Sequence, residues 1–295
     1  MNIAIAGGTG FIGKVIIKRL VKAGHHVVAL IRPGSLLKIA SFSGTESRYI
    51  YYDSPSQIRK ILEGCEVVIN LIGIIKETKE TSFDYAHHLI PMSLVKAAQG
   101  SGIKRFLHMS ALGTANNIDT EYMETKHLGE NVVKASGLDY TIFRPSVVFG
   151  PEDKFVNLLV KVLKLSPIFP VIGDGKYCLQ PISVDDVAEG FVRSIDKRQT
   201  IGKTYDIAGL DKYTFDEMLD IIGLALGKKK IRKFHQPVGF VKFKARLYGR
   251  FLPIPITVDM IKMLLAENTS GSYSFFSDLD ITPINFAEGI KKYLK

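Results

Sequence analysis

The sequence predicts an α/β fold: a doubly wound parallel sheet followed by a smaller C-terminal α+β lobe. Three observations support this. An apolar run at residues 3–6 leads into glycines at 7, 10 and 13. Strand-like apolar runs then alternate with helical patterns as far as Gly150, as a parallel sheet with crossover helices requires. Beyond Asp153 the alternation lapses, and Pro167, Pro170, Gly173 and Gly175 mark a different kind of chain. The division is therefore set at 1–150 for the sheet domain and 151–295 for a lid-like lobe, with residues of about 178–208 returning to the sheet.

The opening strand and its glycines predict an anion site. Gly7 permits the tight turn, Gly10 lets backbone approach a pyrophosphate, and Gly13 allows the next helix to pack closely on the strand. Unpaired N–H groups and the helix dipole then face the anion. That helix is amphipathic through Phe11, Ile12, Val15, Ile16 and Leu20, and a second strand follows at 26–31. Arg32 comes next. An acidic residue there would bind a ribose 2′-hydroxyl, whereas an arginine accommodates a 2′-phosphate, so Arg32 favours NADP(H) over NAD(H) unless it is simply a solvent-exposed loop residue. A third strand is expected at 48–52. Asp53 either meets the adenine amino group or, with Ser54, caps the helix that Pro55 begins. The fourth strand, 66–72, closes on Gly73, whose missing side chain lets backbone pass near the ribose. A helix over 81–99 should be kinked or split by Pro91. On it, His87 and His88 point about 100° apart, which argues against a joint metal site.

The fifth strand, 105–109, ends at Ser110, and after a polar loop comes a helix carrying Tyr122 and Lys126. At i, i+4 they share a helical face. An ammonium beside a phenol favours phenolate and lowers its pKa, and the same lysine can hold ribose hydroxyls. Among 12 tyrosines about one such pair arises by chance, so its place after the fifth strand carries the weight. The sixth strand, 139–143, leads to Pro145, which lacks a donor and leaves backbone such as that of Val147 free to meet a carboxamide. Helices are expected from 153 to about 165 and from Val184, where Asp185 and Asp186 fit a first-turn or capping role better than acid–base work. A short strand over 203–208 precedes Thr214, which with Glu217 has the spacing of a capping box.

Composition sets the bounds. In 295 residues, 46% hydrophobic, there is material for a sizeable core. Cys65 and Cys178 lie far apart without metal-ligand spacing, so neither disulfides nor a metal site are expected, and a reducing, cytoplasmic setting fits best. No charged-then-apolar leader precedes Ile3, and no apolar run approaches the ~20 residues of a membrane span. The net charge of +10 is local: between Asp220 and Asp259 there is no carboxylate, but Lys228, Lys229, Lys230, Arg232, Lys233, Lys242, Lys244, Arg246 and Arg250 all fall there. Residues 228–250 thus imply an acidic partner, and with no nucleic-acid module present, nucleic acid is not expected. As a helix, 238–252 places Lys242, Arg246 and Arg250 on one face. An apolar arc includes Phe240, Phe243 and Leu247, with Lys244 inside it and obliged to snorkel. Such a helix lies on a membrane surface, docks on a subunit, or is an ordinary core-facing helix.

Taken together, several stretches resemble the atypical extended short-chain dehydrogenases/reductases, the NAD-dependent epimerase/dehydratase-like branch. These are 7–13 (Gly-Gly-Thr-Gly-Phe-Ile-Gly), 70–73, 108–113, Tyr122 with Lys126, 141–151, 172–175 and 180–188. Including residues 252–257, the chain is similar to the bacterial relatives of the respiratory complex I accessory subunit called alpha-subcomplex subunit nine. The resemblance implies a Rossmann-type domain in which Gly7, Thr9, Gly10, Phe11, Ile12 and Gly13 hold a pyrophosphate. Arg32 would take the 2′-phosphate, and Tyr122 and Lys126 the nicotinamide ribose. One departure stands out. Where catalytic members carry a serine or threonine that polarises the substrate carbonyl, this chain has Ala111, with Ser110 one residue early. The complex I relatives keep a reduced nicotinamide nucleotide as a structural element, which fits that gap. The expectation is an NADP(H)-binding accessory or assembly factor of a membrane complex, cytoplasmic or peripheral on the membrane's cytoplasmic face. The alternative is a working oxidoreductase or epimerase using Tyr122, Lys126 and Ser110.

Overall fold

The computed structural model describes residues 1–33, 44–114, 120–248 and 257–294. In chain order the sheet half contains β1 (Asn2–Ala6), α1 (Phe11–Lys22), β2 (His26–Ile31), β3 (Thr45–Tyr49), α2 (Pro55–Ile61), β4 (Val67–Asn70), α3 (Ile90–Gly100), β5 (Arg105–Met109), α4 (Glu121–Lys134) and β6 (Asp139–Pro145). Beyond it come β7 (Val148–Phe149), α5 (Phe155–Leu165), β8 (Ile168–Ile172), β9 (Cys178–Leu179), β10 (Ile182–Ser183), α6 (Val184–Ser194), β11 (Lys203–Ile207), β12 (Tyr213–Thr214) and α7 (Phe215–Ala225). The chain continues through β13 (Arg232–Gln236), α8 (Val238–Tyr248), α9 (Val258–Leu265), α10 (Ser274–Leu279) and α11 (Phe286–Lys291).

The central sheet is parallel, in the order β11-β6-β5-β4-β1-β2-β3. Its strands are apolar runs because helices cover both faces. On one side α1 and α6 enclose a core containing Ile5, Ile16, Phe143, Phe191 and Phe275; on the other, Ile58, Leu94, Phe106 and Val133 fill the space beneath α2, α3 and α4. Strand order reverses between β1 and β4, the switch point outside whose carboxyl ends ligands bind in such sheets. β11 brings the chain back to the sheet edge beside β6. The second lobe has its own core around Phe149, Leu159, Phe169, Phe215 and Phe286, and three two-stranded sheets.

The structure moves several expected boundaries, each for a local reason. β3 lies at Thr45–Tyr49 instead of 48–52, because pairing with β2 ends at Ile31 with Tyr49, and Tyr52 turns into the core from the loop. β4 stops at Asn70, whose side-chain oxygen accepts the Ile72 N–H at 3.1 Å. β6 runs on to Pro145 because β11 pairs alongside it. α5 begins at Phe155, with Asp153 accepting the Val156 N–H at 2.6 Å. Thr214 and Glu217 form the expected capping box. α6 is capped by Ser183, leaving Asp185 to pair with Arg19 at 2.6 Å and Asp186 to accept the Ile284 N–H. Ser54 precedes α2 without a side-chain cap bond, so the capping role considered for Asp53–Ser54 is not taken up.

The helix expected over 81–99 is split. A π-helical turn, Tyr85–Leu89, precedes α3, with the Ile90 N–H reaching back to the Tyr85 carbonyl. Pro91 has no N–H to offer the His87 carbonyl, which permits the wider turn. Gly129 of α4 packs there, and a Cβ at that position would overlap the His87 carbonyl oxygen.

α8 does not behave as a core-facing helix: Phe240 and Phe243 are 50% and 60% exposed, and Lys244 sits over the Phe240 ring, 4.2 Å from its centroid. Arg250 and the other residues of the expected helix after Tyr248, like residues 252–256 of the family-like stretch, lie outside the described residues. No helix among the described residues is long and apolar enough to cross a membrane.

Candidate nucleotide site

The glycine corner has the shape its sequence demands. Gly7 adopts φ +83°, and a Cβ on it would lie 3.0 Å from the Leu71 carbonyl carbon, so the corner rests against the strip leaving β4. The Gly10 N–H closes the turn onto the Gly7 carbonyl at 3.1 Å. A Cβ on Gly13 would stand 2.5 Å from the Gly7 oxygen, which is why α1 can start so close to β1. Gly8 is constrained more mildly, since what a Cβ there would meet first is the end of the Ile17 side chain, at 2.7 Å, and sequence reasoning missed it. The first helical bond runs from the Lys14 N–H to the Gly10 carbonyl, leaving the amides of Phe11, Ile12 and Gly13 without intrahelical acceptors. A cradle that only glycine permits, lined by such amides, fits a diphosphate. Thr9 lies on its rim.

From this corner the cleft extends along the strand ends. A Cβ on Gly150 would lie 3.0 Å from the Phe11 ring, so the segment holding Pro145 and Val147 comes up beside α1. Val147 gives its carbonyl to the Ile182 N–H at 2.9 Å. Gly73 sits directly over Lys126: a Cβ there would be 2.9 Å from Nζ. That ammonium donates to the Met109 carbonyl at 3.3 Å, and burial lowers its pKa to about 8.

Tyr122 and Lys126 are both buried on α4, but the phenol is not activated as expected. Burial pushes the Tyr122 hydroxyl up to about 12, the reverse of the shift a close ammonium would cause, so at neutral pH it is a proton-bearing donor. Its ring meets Phe83 and His87 edge-on, and with Phe83 and Met123 it forms a small apolar cluster against which Ile74, Ala111 and, from α9, Met263 pack. Ser110 is turned elsewhere. Its hydroxyl lies 3.3 Å from Thr114 Oγ1, whose own hydrogen goes to the Ala111 carbonyl, while the nearby Glu130 carboxylate is gripped by Arg144 with Nε at 2.7 Å and Nη2 at 2.6 Å.

Arg32 is exposed at the end of β2, and Asp53 follows β3 with one oxygen accepting the Tyr85 hydroxyl at 2.8 Å. Sequence reasoning missed Tyr85 and Thr125, and treated His87 only as an unsuitable metal ligand. Pro91, four residues after His87, was the available signal. No group of metal-ligating side chains occurs among the described residues.

A sequence model described as NAD(P)H-binding matches residues 7–198. The chain is 30% identical over 225 residues to NADH dehydrogenase (ubiquinone) 1 alpha subcomplex subunit 9, a mitochondrial protein of Arabidopsis thaliana. The match takes in 74% of this chain and 56% of that protein, so the chain spans little more than half of the relative's length. Among solved structures it superposes on an NADPH-dependent quinone oxidoreductase of Escherichia coli complexed with NADPH, with a TM-score of 0.80 and 20% identity over 99% of this chain and 100% of that one. It also superposes on the dTDP-glucose 4,6-dehydratase of Bacillus anthracis in complex with NAD, with a TM-score of 0.76 and 16% identity over 100% and 95% of the two chains. At such identities these likenesses show the fold, and both cofactors occur within it. The chain belongs to the NAD(P)H-binding family, as a Rossmann-type nicotinamide-dinucleotide-binding protein homologous to alpha subcomplex subunit 9.

Proposed function

We propose that the protein is an NADP(H)-binding accessory or assembly factor of a respiratory-type membrane complex, with little turnover of its own. The observation that carries the reading is Ala111: a residue with only a methyl group packs against the cluster that contains Tyr122, at the position where the catalytic members would carry a polarising hydroxyl, and the Ser110 hydroxyl is taken up by Thr114. The bound nucleotide would supply a hydride. Around it, the amides of residues 11–13 would take the diphosphate, Lys126 the ribose hydroxyls, Asp53 the adenine and Arg32 the 2′-phosphate. Tyr122, protonated, would offer a hydrogen bond without a second hydroxyl to share a carbonyl oxygen.

Homology to a subunit of NADH dehydrogenase supports a protein complex as partner. The surface of α8, with its cations and exposed phenylalanines, supports a place against an anionic membrane face, which on our reading is the cytoplasmic one.

The test is to identify the nucleotide that purified protein releases on denaturation, expected to be NADPH in near-stoichiometric amount. Arg32→Asp should weaken NADPH about tenfold while sparing NADH, as loss of a charge-assisted phosphate contact predicts. Unchanged preference in that variant would remove Arg32 from the cofactor assignment. The intact Tyr122 and Lys126 favour one second reading, an active oxidoreductase or epimerase. Substrate-dependent oxidation of NADPH, abolished by Tyr122→Phe, would establish it in place of the first.

A further inference from the structure

We propose that the π-helical turn Tyr85–Leu89 positions both ends of the nucleotide cleft, with Tyr85 orienting Asp53 for the adenine and His87 fixing Gly73, Ile74 and Lys126 for the nicotinamide ribose. This rests on the nucleotide reading above. The two residues are two apart on one helical turn and therefore project to nearly opposite sides.

At the nicotinamide end the protonation of His87 follows from its partners. The Thr125 hydroxyl gives its hydrogen to the Glu121 carbonyl at 2.8 Å, so its oxygen accepts from His87 Nδ1–H at 3.1 Å. Nε2 is then the acceptor of the Ile74 N–H at 3.1 Å. The ring plane is held by Phe83, stacked at 5.5 Å between centroids, and by the edge of Tyr122 at 5.1 Å. Burial first and the Lys126 ammonium second bring the imidazole down to about 2, so it stays neutral beside that charge. A Cβ on Gly73 would touch Lys126 Nζ at 2.9 Å and lie 3.8 Å from His87 Nε2. The imidazole, the ammonium and the Gly73 backbone thus surround a single point, and the imidazole sets the height of the strip on which the ribose would rest.

At the adenine end, Asp53 makes no cap to α2, and the Tyr85 hydroxyl aims its carboxylate. One Asp53 oxygen remains for a base amino group. The turn that carries both residues exists because Pro91 withholds an N–H and Gly129 makes room for the His87 carbonyl.

Calorimetric titration of the full chain with NADPH and with 2′,5′-ADP, which has only the adenine half, separates the two ends. His87→Phe keeps the ring packing and is expected to weaken NADPH about tenfold while leaving 2′,5′-ADP unchanged. His87→Gln, whose amide oxygen can accept the Ile74 N–H, should recover most of the loss. Tyr85→Phe should weaken both ligands alike. If His87→Phe folds poorly, Thr125→Val, which removes only the hydroxyl that fixes the tautomer, should show the same selectivity with a smaller loss. Equal weakening of both ligands by the His87 and Thr125 variants, or unchanged NADPH affinity in them, would overturn the proposal. A wild-type chain that binds neither probe would instead overturn the nucleotide reading itself.

Discussion

The frame around the central sheet and the α8 helix of the second lobe treat positive charge in opposite ways. Around the central sheet cations are answered from within: Arg144 lies between Glu130 and Asp206, Arg105 donates to the carbonyls of Asp139 and Ser194, and Arg19 spans Asp185 and Glu189. On α8, Lys242, Lys244 and Arg246 make no ion pair among the described residues, and Phe240 and Phe243 stand exposed beside them. Charge that is consumed internally holds the frame. Charge left without an internal counter-charge, next to unburied rings, is suited to something outside the chain.

The comparison is broken most forcefully at Glu130. Its carboxylate is fully buried between Arg144 and Lys134, so Glu130→Gln leaves a buried guanidinium short of its counter-charge and is expected to cost about 3–5 kcal/mol, measured by denaturant unfolding. The pH dependence has a definite sign. Burial alone would raise the Glu130 pKa, but the Arg144 hydrogen bonds outweigh it and bring it down to about 2, below the ordinary 4.5. Its contribution to stability is therefore complete above the ordinary value and is lost as the pH falls from there towards 2. Glu130→Gln should lack that part of the acid titration. A cost below about 1 kcal/mol would mean that this network is not what braces the sheet.

A smaller effect, opposite in sign between the lobes, is expected from alanine at two helical glycines. In Gly13→Ala the new methyl meets the Gly7 oxygen at 2.5 Å and the Gly8 Cα at 2.7 Å, for a loss of about 1–3 kcal/mol and of nucleotide binding. Gly239 of α8 has nothing within 4 Å of the same position, so Gly239→Ala should gain about 0.5–1 kcal/mol. Thermal unfolding of both variants checks the contrast, and a loss at Gly239 would mean that α8 is packed more tightly than its exposed rings imply.

What the sequence made legible was whatever depends on neighbours in the chain. Gly7, Gly10 and Gly13 announce their corner because each is required within one turn and one helical start. Thr214 and Glu217 announce a cap for the same reason. The relation of Tyr122 to Lys126 was legible as a shared helical face, but not as a pKa, because the cluster that Tyr122 joins is assembled from separate segments, with Phe83 in it and Met263 packed against it. The Glu130–Arg144 brace joins α4 to β6 and has no spacing to betray it. The π-helical turn was half visible: Pro91 marks an interruption, whereas the roles of Tyr85 and His87 depend on Asp53, Ile74 and Thr125, brought there by the fold.

The smallest effect on stability should fall on the α8 surface, and this prediction separates the two lobes most cleanly. Phe240 and Phe243 are already half or more in solvent, so replacing both with serine returns little apolar area to water and should change unfolding free energy by no more than about 0.5 kcal/mol. Binding should respond differently. If the rings enter a lipid interface and the cations meet anionic head groups, the intact chain will sediment with vesicles containing phosphatidylglycerol and not with pure phosphatidylcholine, less so as salt rises. The double serine variant should lose about tenfold or more of that affinity, and Lys242, Lys244 and Arg246 changed to glutamine should lose about 1 kcal/mol per charge at low salt. Vesicle binding that survives both sets of changes would place the membrane contact elsewhere. Destabilisation of several kcal/mol by the serines would instead return α8 to the frame and erase the contrast between the lobes.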